Sequence, residues 1–220
     1  MIDFAKARIN MLDCQVRPND VTSHPVLEAF GTVPREEFVP ASQKALAYID
    51  EDLPIASDPD PRFLMDAMPM SKLIQLADVS EDCIVLDVGC GTGYSTAILS
   101  SLCDSVVAVE CDETLAEQAT NTLLALGYDN TVVVSGALQD GYAKEGPYDV
   151  IFVGGAVDAV PDSLKNQLKD GGRLVAVVGH GNTGTARLIV RNGDSFSERT
   201  SFNCSVKALP GFEKAEEFVF

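Results

Sequence analysis

The sequence predicts an α/β fold in which a doubly wound, mostly parallel sheet follows a helical N-terminal segment. Two patterns carry that expectation. From Cys83 onward, β-branched runs of strand length alternate with helical segments, and a glycine-rich loop joins the first such run to the first such helix. Size supports it too: 220 residues, 46% of them hydrophobic, suffice for one α/β domain with a full core.

Residues 1–80 read as mostly helical. FAKARINMLDCQV places Phe4, Ile9, Leu12 and Val16 at helical spacing and stops before Pro18. Pro25 suits a first helical turn, after which Val26, Leu27 and Phe30 share one face. DEDLPIASDPDPR is different, because its acids and three prolines predict an irregular loop. MPMSKLIQLADV then predicts a helix with Met68, Leu73, Leu76 and Val79 toward the core.

Residues 81–183 form the predicted sheet. CIVLDVG, SVVAVE, TVVVSG, YDVIFVG and GRLVAVVG are its strands, and their unbroken apolar character predicts burial on both faces. STAILSSL, ETLAEQATNTLLALG and SLKNQLKDGG are the intervening helices, with stops at Gly127 and Gly171-Gly172. In residues 184–220, TARLIVRNGDSFSERTSFN is centred on an Asn-Gly turn and predicts an antiparallel hairpin at the sheet edge.

The formal net charge is −17, and it is unevenly placed: residues 81–180 hold 4 basic and 15 acidic side chains, whereas residues 181–220 hold 5 of each. Such a field repels polyphosphate, so neither nucleic acid nor an anionic membrane surface is an expected partner. The first twenty residues contain no apolar signal-like core, and no stretch approaches membrane-spanning length, which predicts a soluble cytoplasmic protein. Six cysteines are scattered without a C-x-x-C pair, and only His24 and His180 could join them at a metal. Reduced, mostly buried thiols and no metal site are the expectation.

The most informative segment is Asp87-Val88-Gly89-Cys90-Gly91-Thr92-Gly93-Tyr94. Glycines at the carboxyl end of a first strand let the backbone turn sharply and approach a ligand closely. The spacing is G-x-G-x-G and not the G-x-G-x-x-G of a dinucleotide cradle, and no Walker lysine follows. Two acids frame the loop instead. Glu110, ending the second strand, can accept hydrogen bonds from both hydroxyls of a ribose, while Asp87 brings negative charge that favours a cationic ligand. S-adenosylmethionine combines a phosphate-free nucleoside, a ribose diol and a sulfonium cation, and it satisfies these features together. A ligand-free tight turn and a nicotinamide dinucleotide are the competing readings.

VLDVGCGTGYSTAIL, VVAVE and GPYDVIFVGGAVDAVPDSLKNQLKDGGRLVAVVG resemble the class I methyltransferase core, a Rossmann-like fold with a sheet of the seven-stranded type. With LGYDNTVVVSG and VPREEFVPASQKALAYIDEDLPI, the chain is similar over roughly residues 20–180 to protein-L-isoaspartate (D-aspartate) O-methyltransferases. The resemblance implies S-adenosyl-L-methionine as cofactor, S-adenosyl-L-homocysteine as product, and an isoaspartyl carboxylate of a damaged protein or peptide as acceptor. It also implies that Gly89, Gly91 and Gly93 contact the methionine and ribose part, that Glu110 takes the diol, and that Asp87 lies beneath the loop. Cys90, Tyr94 and Cys111 flank these positions, and Ala137 with Leu138 stands where the family's Gly-Asp-Gly stretch approaches the adenine.

The acceptor side departs from the family pattern. The usual Gly-Gln-Thr-Ile-Ser segment is absent, and Arg62-Phe63-Leu64-Met65 falls near its place. Arg62 can hold a carboxylate with two parallel hydrogen bonds, or it can be a surface group answering Asp58 and Asp60. Ser57 and Ser71 are the hydroxyl candidates; His24, His180, Tyr48 and Tyr94 are the only suggestive bases for an acceptor that needs one. Three functions remain open at this level: isoaspartyl methyl esterification, methylation of another acceptor, and cofactor binding without catalysis. Residues 1–80 are expected to cover the acceptor side.

Overall fold

In the computed structural model, which describes residues 2–56 and 61–213, the N-terminal stretch is built from short helical pieces. Asp3 caps α1 (Phe4–Met11) by accepting from Lys6 N, and a π turn over Leu12–Val16 continues it. The wider turn brings residues four and five apart onto one side, so Met11, Leu12 and Val16 are buried while Ile9 is 56% exposed. The expected stripe through Phe4 and Ile9 is therefore displaced. Helix α2 (His24–Thr32) begins with Pro25 in its first turn and buries Val26, Leu27 and Phe30, as the spacing predicts.

The stretch expected to be an irregular loop forms a hairpin. Strands β1 (Leu53–Ala56) and β2 (Arg62–Leu64) pair antiparallel, with Leu53 opposite Leu64. The prolines hid an alternation of period two: Leu53, Ile55, Arg62 and Leu64 are buried, while Pro54 occupies an outward position that an isolated two-stranded ribbon tolerates. Ser57, Asp58 and Asp60 lie outside the described residues. Helix α3 (Ala67–Ala77) is capped by Asp66 and buries Met70, Leu73, Ile74 and Ala77, leaving Met68, Leu76 and Val79 only half-buried.

The sheet follows: β3 (Ile84–Val88), α4 (Tyr94–Ser100), β4 (Ser105–Glu110), α5 (Glu113–Leu126), β5 (Thr131–Ser135), β6 (Tyr148–Val157), α6 (Asp162–Lys165), β7 (Leu168–Val178), β8 (Thr185–Asn192) and β9 (Ser195–Asn203). Spatial order is β5-β4-β3-β6-β7-β8-β9, parallel through β7, with β8 antiparallel to β7 and β9 to β8. The predicted Asn-Gly hairpin is thus present at one edge. At the other edge, β5 is only partly covered, and Val132 is 57% exposed, contrary to the expected two-sided burial.

Alternate strand residues feed two cores. Val85, Val150 and Phe152 pack with helices α3 and α4 and the N-terminal segment; Leu86, Val88 and Ile151 pack on the opposite face with Leu164, Leu209 and Phe212. On that second face SLKNQLKDGG, expected to be a full helix, forms only one helical turn. Gln167 ends it: its carbonyl accepts from Tyr148 N at 2.8 Å and its side chain bonds Tyr142 N and Asp140 O, drawing the chain into β7. Among the described residues no helix is long and apolar enough to cross a membrane. Strand order reverses around β3, which opens a crevice at the carboxyl ends of β3 and β4.

Candidate cofactor and acceptor site

The loop after β3 turns through Gly89, Gly91 and Gly93, all at positive φ. Gly91 is constrained twice, because its φ of 57° disfavours side chains and an added Cβ would lie 2.7 Å from Ile55 Cδ1; at Gly89 a Cβ would come as close to Leu209 Cδ2. Asp87, fully buried below the loop, accepts from Ser95 Oγ and Thr96 Oγ1 at 2.7 Å, both on its Oδ2. Its Oδ1 has no hydrogen-bond partner. Burial pushes the Asp87 carboxyl up to about 6; the two hydroxyls oppose that shift and the charge of Glu110 adds to it.

Glu110 is fully buried at the end of β4. Gly91 N donates to it at 2.7 Å, Cys111 N at 2.8 Å and Asp112 N at 3.1 Å. Both terminal nitrogens of Arg62 also reach it, Nη2 lying 2.8 Å from Oε2 and Nη1 bonding Oε1. Arg62 is only 3% exposed, which replaces the reading of a surface arginine with that of a buried ion pair. Next to this pair opens a cleft of about 440 Å³ whose walls include Arg62, Cys111, Ala137 and Leu138. Asp112, Gln139 and Gly211 also line it and were not foreseen. Asp112 carried a signal, since it caps α5 through Thr114 N and Leu115 N directly after Glu110-Cys111. Gly211 returns from beyond β9, and nothing local in the sequence announces that.

Other candidates separate from the cleft. The ring of Tyr94, assigned to the cofactor by position, is fully buried against Phe30 and Phe38, with the Arg35 guanidinium 4.8 Å from its centroid. Tyr94 is a core residue joining the N-terminal segment to the loop. The V-P-R-E-E-F-V-P element makes the same junction: Arg35 donates to Ala47 O and Met65 O at 2.8 Å, and Thr92 Oγ1 donates to Phe38 O at 2.5 Å. Cys90 is buried with Ala108 and Ala119. Cys111 is an exposed residue whose thiol is nevertheless pushed up to about 11 by partial burial and by the charge of Glu110. Ser71 donates within α3 to Met68 O, Tyr48 is engaged by Glu36 and Arg8, His180 pairs with Asp158, and His24 opens α2. Ser57 lies outside the described residues.

The sequence model of the protein-L-isoaspartate(D-aspartate) O-methyltransferase family matches residues 7–209. The chain belongs to this family. The match extends past the region of resemblance to include the second half of α1, the β8–β9 hairpin and Leu209, whose side chain packs on the loop. A protein-L-isoaspartate O-methyltransferase of Roseiflexus sp. (strain RS-1) is 37% identical over 209 residues, covering 95% of this chain and 93% of the relative. Another, of Koribacter versatilis (strain Ellin345), is 39% identical over 176 residues, covering 80% and 78%. Among solved structures, a protein-L-isoaspartate O-methyltransferase superposes with a TM-score of 0.82 at 26% identity, over 95% of this chain and 66% of that one. A Plasmodium falciparum protein solved with S-adenosyl-L-homocysteine shares the fold, with a TM-score of 0.74 at 18% identity over 94% and 99% of the two chains.

Protein-L-isoaspartate O-methyltransferases use S-adenosylmethionine, and the residues of this member suit that group. A buried carboxylate ends β4, the glycine loop is fixed to it through Gly91 N, and the unpartnered Asp87 Oδ1 puts uncompensated negative charge beneath the loop, which favours a cationic nucleoside.

Proposed function

We propose that the chain is an S-adenosylmethionine-dependent carboxyl O-methyltransferase that esterifies isoaspartyl residues in damaged protein or peptide substrates. The observation that carries this reading is Glu110, buried at the strand end with Gly91 N on its Oε2, a carboxylate fixed against the glycine loop where a ribose would be read. Glu110 would take the diol, Gly89, Gly91 and Gly93 would border the methionine and ribose, and Cys111, Ala137 and Leu138 would flank the adenine.

The bound cofactor supplies an electrophilic methyl group on a sulfonium. An isoaspartyl carboxylate is already ionised at pH 7, so this chain's residues need not remove a proton. Their work is alignment and exclusion of water. Ile55 and Leu209 are buried against Gly91 and Gly89, and they offer a dry apolar wall beside the loop. The hairpin contributes Ile55 to that wall, which supports an acceptor side formed by residues 1–80.

One observation favours a second acceptor within the same chemistry. Phe63-Leu64-Met65 brings no side-chain hydroxyl to the place of the family's Thr-Ile-Ser element, so this site selects a carboxylate by charge and backbone amides more than by hydroxyl donors. Incubation with labelled cofactor and an isoaspartyl peptide should yield a base-labile methyl ester. Label appearing only on other carboxylates in a metabolite or peptide screen would move the protein to the second reading.

A further inference from the structure

Glu110 is oversubscribed. Three backbone N–H groups and the two-pronged guanidinium of Arg62 converge on its two oxygens. A carboxylate offers about four lone-pair positions, so a ribose diol finds no acceptor capacity while Arg62 is seated. The same guanidinium directs Nη2 at Gly89 O, 3.4 Å away. Ile55, from the other strand of the same hairpin, lies over Gly91, where a Cβ would come within 2.7 Å of it. One element, β1–β2, therefore covers both the ribose carboxylate and the loop.

We propose that Arg62 is a competitor built into the cofactor site, which yields Glu110 to the ribose diol as the β1–β2 hairpin moves outward, and then holds the acceptor carboxylate. The proposal rests on the functional reading above and adds an order to it: cofactor first, acceptor second. Its physical basis is charge balance. A guanidinium leaving a buried carboxylate needs another anion, and the acceptor is the anion the reaction brings. Esterification then converts that carboxylate to a neutral ester, removes the partner of Arg62, and favours both product release and return of the guanidinium to Glu110. The distance from Arg62 to Glu110 thus ties acceptor binding to cofactor occupancy through one side chain.

Calorimetry with S-adenosyl-L-homocysteine tests the competition. Because a seated Arg62 lowers the binding-competent fraction, Arg62→Met should tighten binding by about tenfold. Its kcat/KM for the acceptor should fall by on the order of a hundredfold, mostly through KM, since a two-pronged carboxylate contact is lost. Arg62→Lys keeps the charge without the fork; it should also tighten cofactor binding while retaining part of the acceptor affinity, and it serves if the methionine variant does not fold. Hydrogen exchange gives a second readout: amides of Leu53–Ala56 and Arg62–Leu64 should exchange faster in wild-type protein when the product cofactor is bound. Unchanged or weaker binding by both variants, or greater protection of the hairpin on binding, overturns the competitor role and leaves the functional reading standing. No binding by wild-type or variant protein overturns both.

Discussion

Asp87 has one oxygen satisfied by two hydroxyls and the other with no partner, in full burial. Its carboxyl is raised from an ordinary 3.8 to about 6, so the native state keeps the proton to higher pH than the unfolded chain does. Stability from this group is complete below about pH 4 and falls as pH rises toward 6, by at most roughly 3 kcal/mol. Asp66, raised to about 6 by burial and the charge of Asp50, acts in the same direction. Asp87→Asn should therefore flatten the decline in urea midpoint between these pH values, and an unaltered slope would show that Asp87 ionises as freely folded as unfolded. Arg35 makes a different residue-scale case. It is fully buried, bonds two carbonyls and lies over the Tyr94 ring. Arg35→Met should cost about 2–4 kcal/mol in denaturant titration, the loss of two charged hydrogen bonds in a buried site. Its position in V-P-R-E-E-F-V-P was visible in the sequence, but its role as the tie between the N-terminal segment and the loop was not, because Ala47, Met65 and Tyr94 are brought together only by the fold.

At the level of elements, sequence reading succeeded where one local pattern controlled the outcome. The five parallel strands, α2, α5 and the Asn-Gly hairpin each followed from apolar runs, caps and turn residues. It failed at β1–β2, where acids and prolines outweighed a short alternation, and at α6, where Gln167 takes up backbone groups from two other segments. The hairpin and the glycine loop now constrain each other. Gly91→Ala would need a left-handed backbone and would press on Ile55 Cδ1. It should lower stability by about 1–2 kcal/mol. The companion change Ile55→Ala, made with it, should relieve the steric share and leave the backbone share. If the double variant is as unstable as the sum of the singles, Ile55 and residue 91 are not in contact.

The whole molecule carries a net charge of −17, with the excess concentrated in residues 81–180. Only Asp87 and Glu110 of those acids are fully buried at the loop, so most of the charge lies on solvated surface and repels itself. The melting temperature should rise by a few degrees between about 10 mM and 200 mM sodium chloride, as screening shortens the range of that repulsion. A flat response would mean that local ion pairs already balance the surface. The sequence by itself determined the fold class, the loop and Glu110, because strand, glycine turn and helix are consecutive in the chain and their chemistry is local. Only the tertiary structure decided that Arg62 is buried on Glu110, that Tyr94 is core, and that Leu209 and Gly211 reach the loop and the cleft. Those contacts join residues tens of positions apart, and the free energy that selects them, burial of one charge against another and of apolar side chains on glycine backbone, exists only once the sheet has brought the segments together.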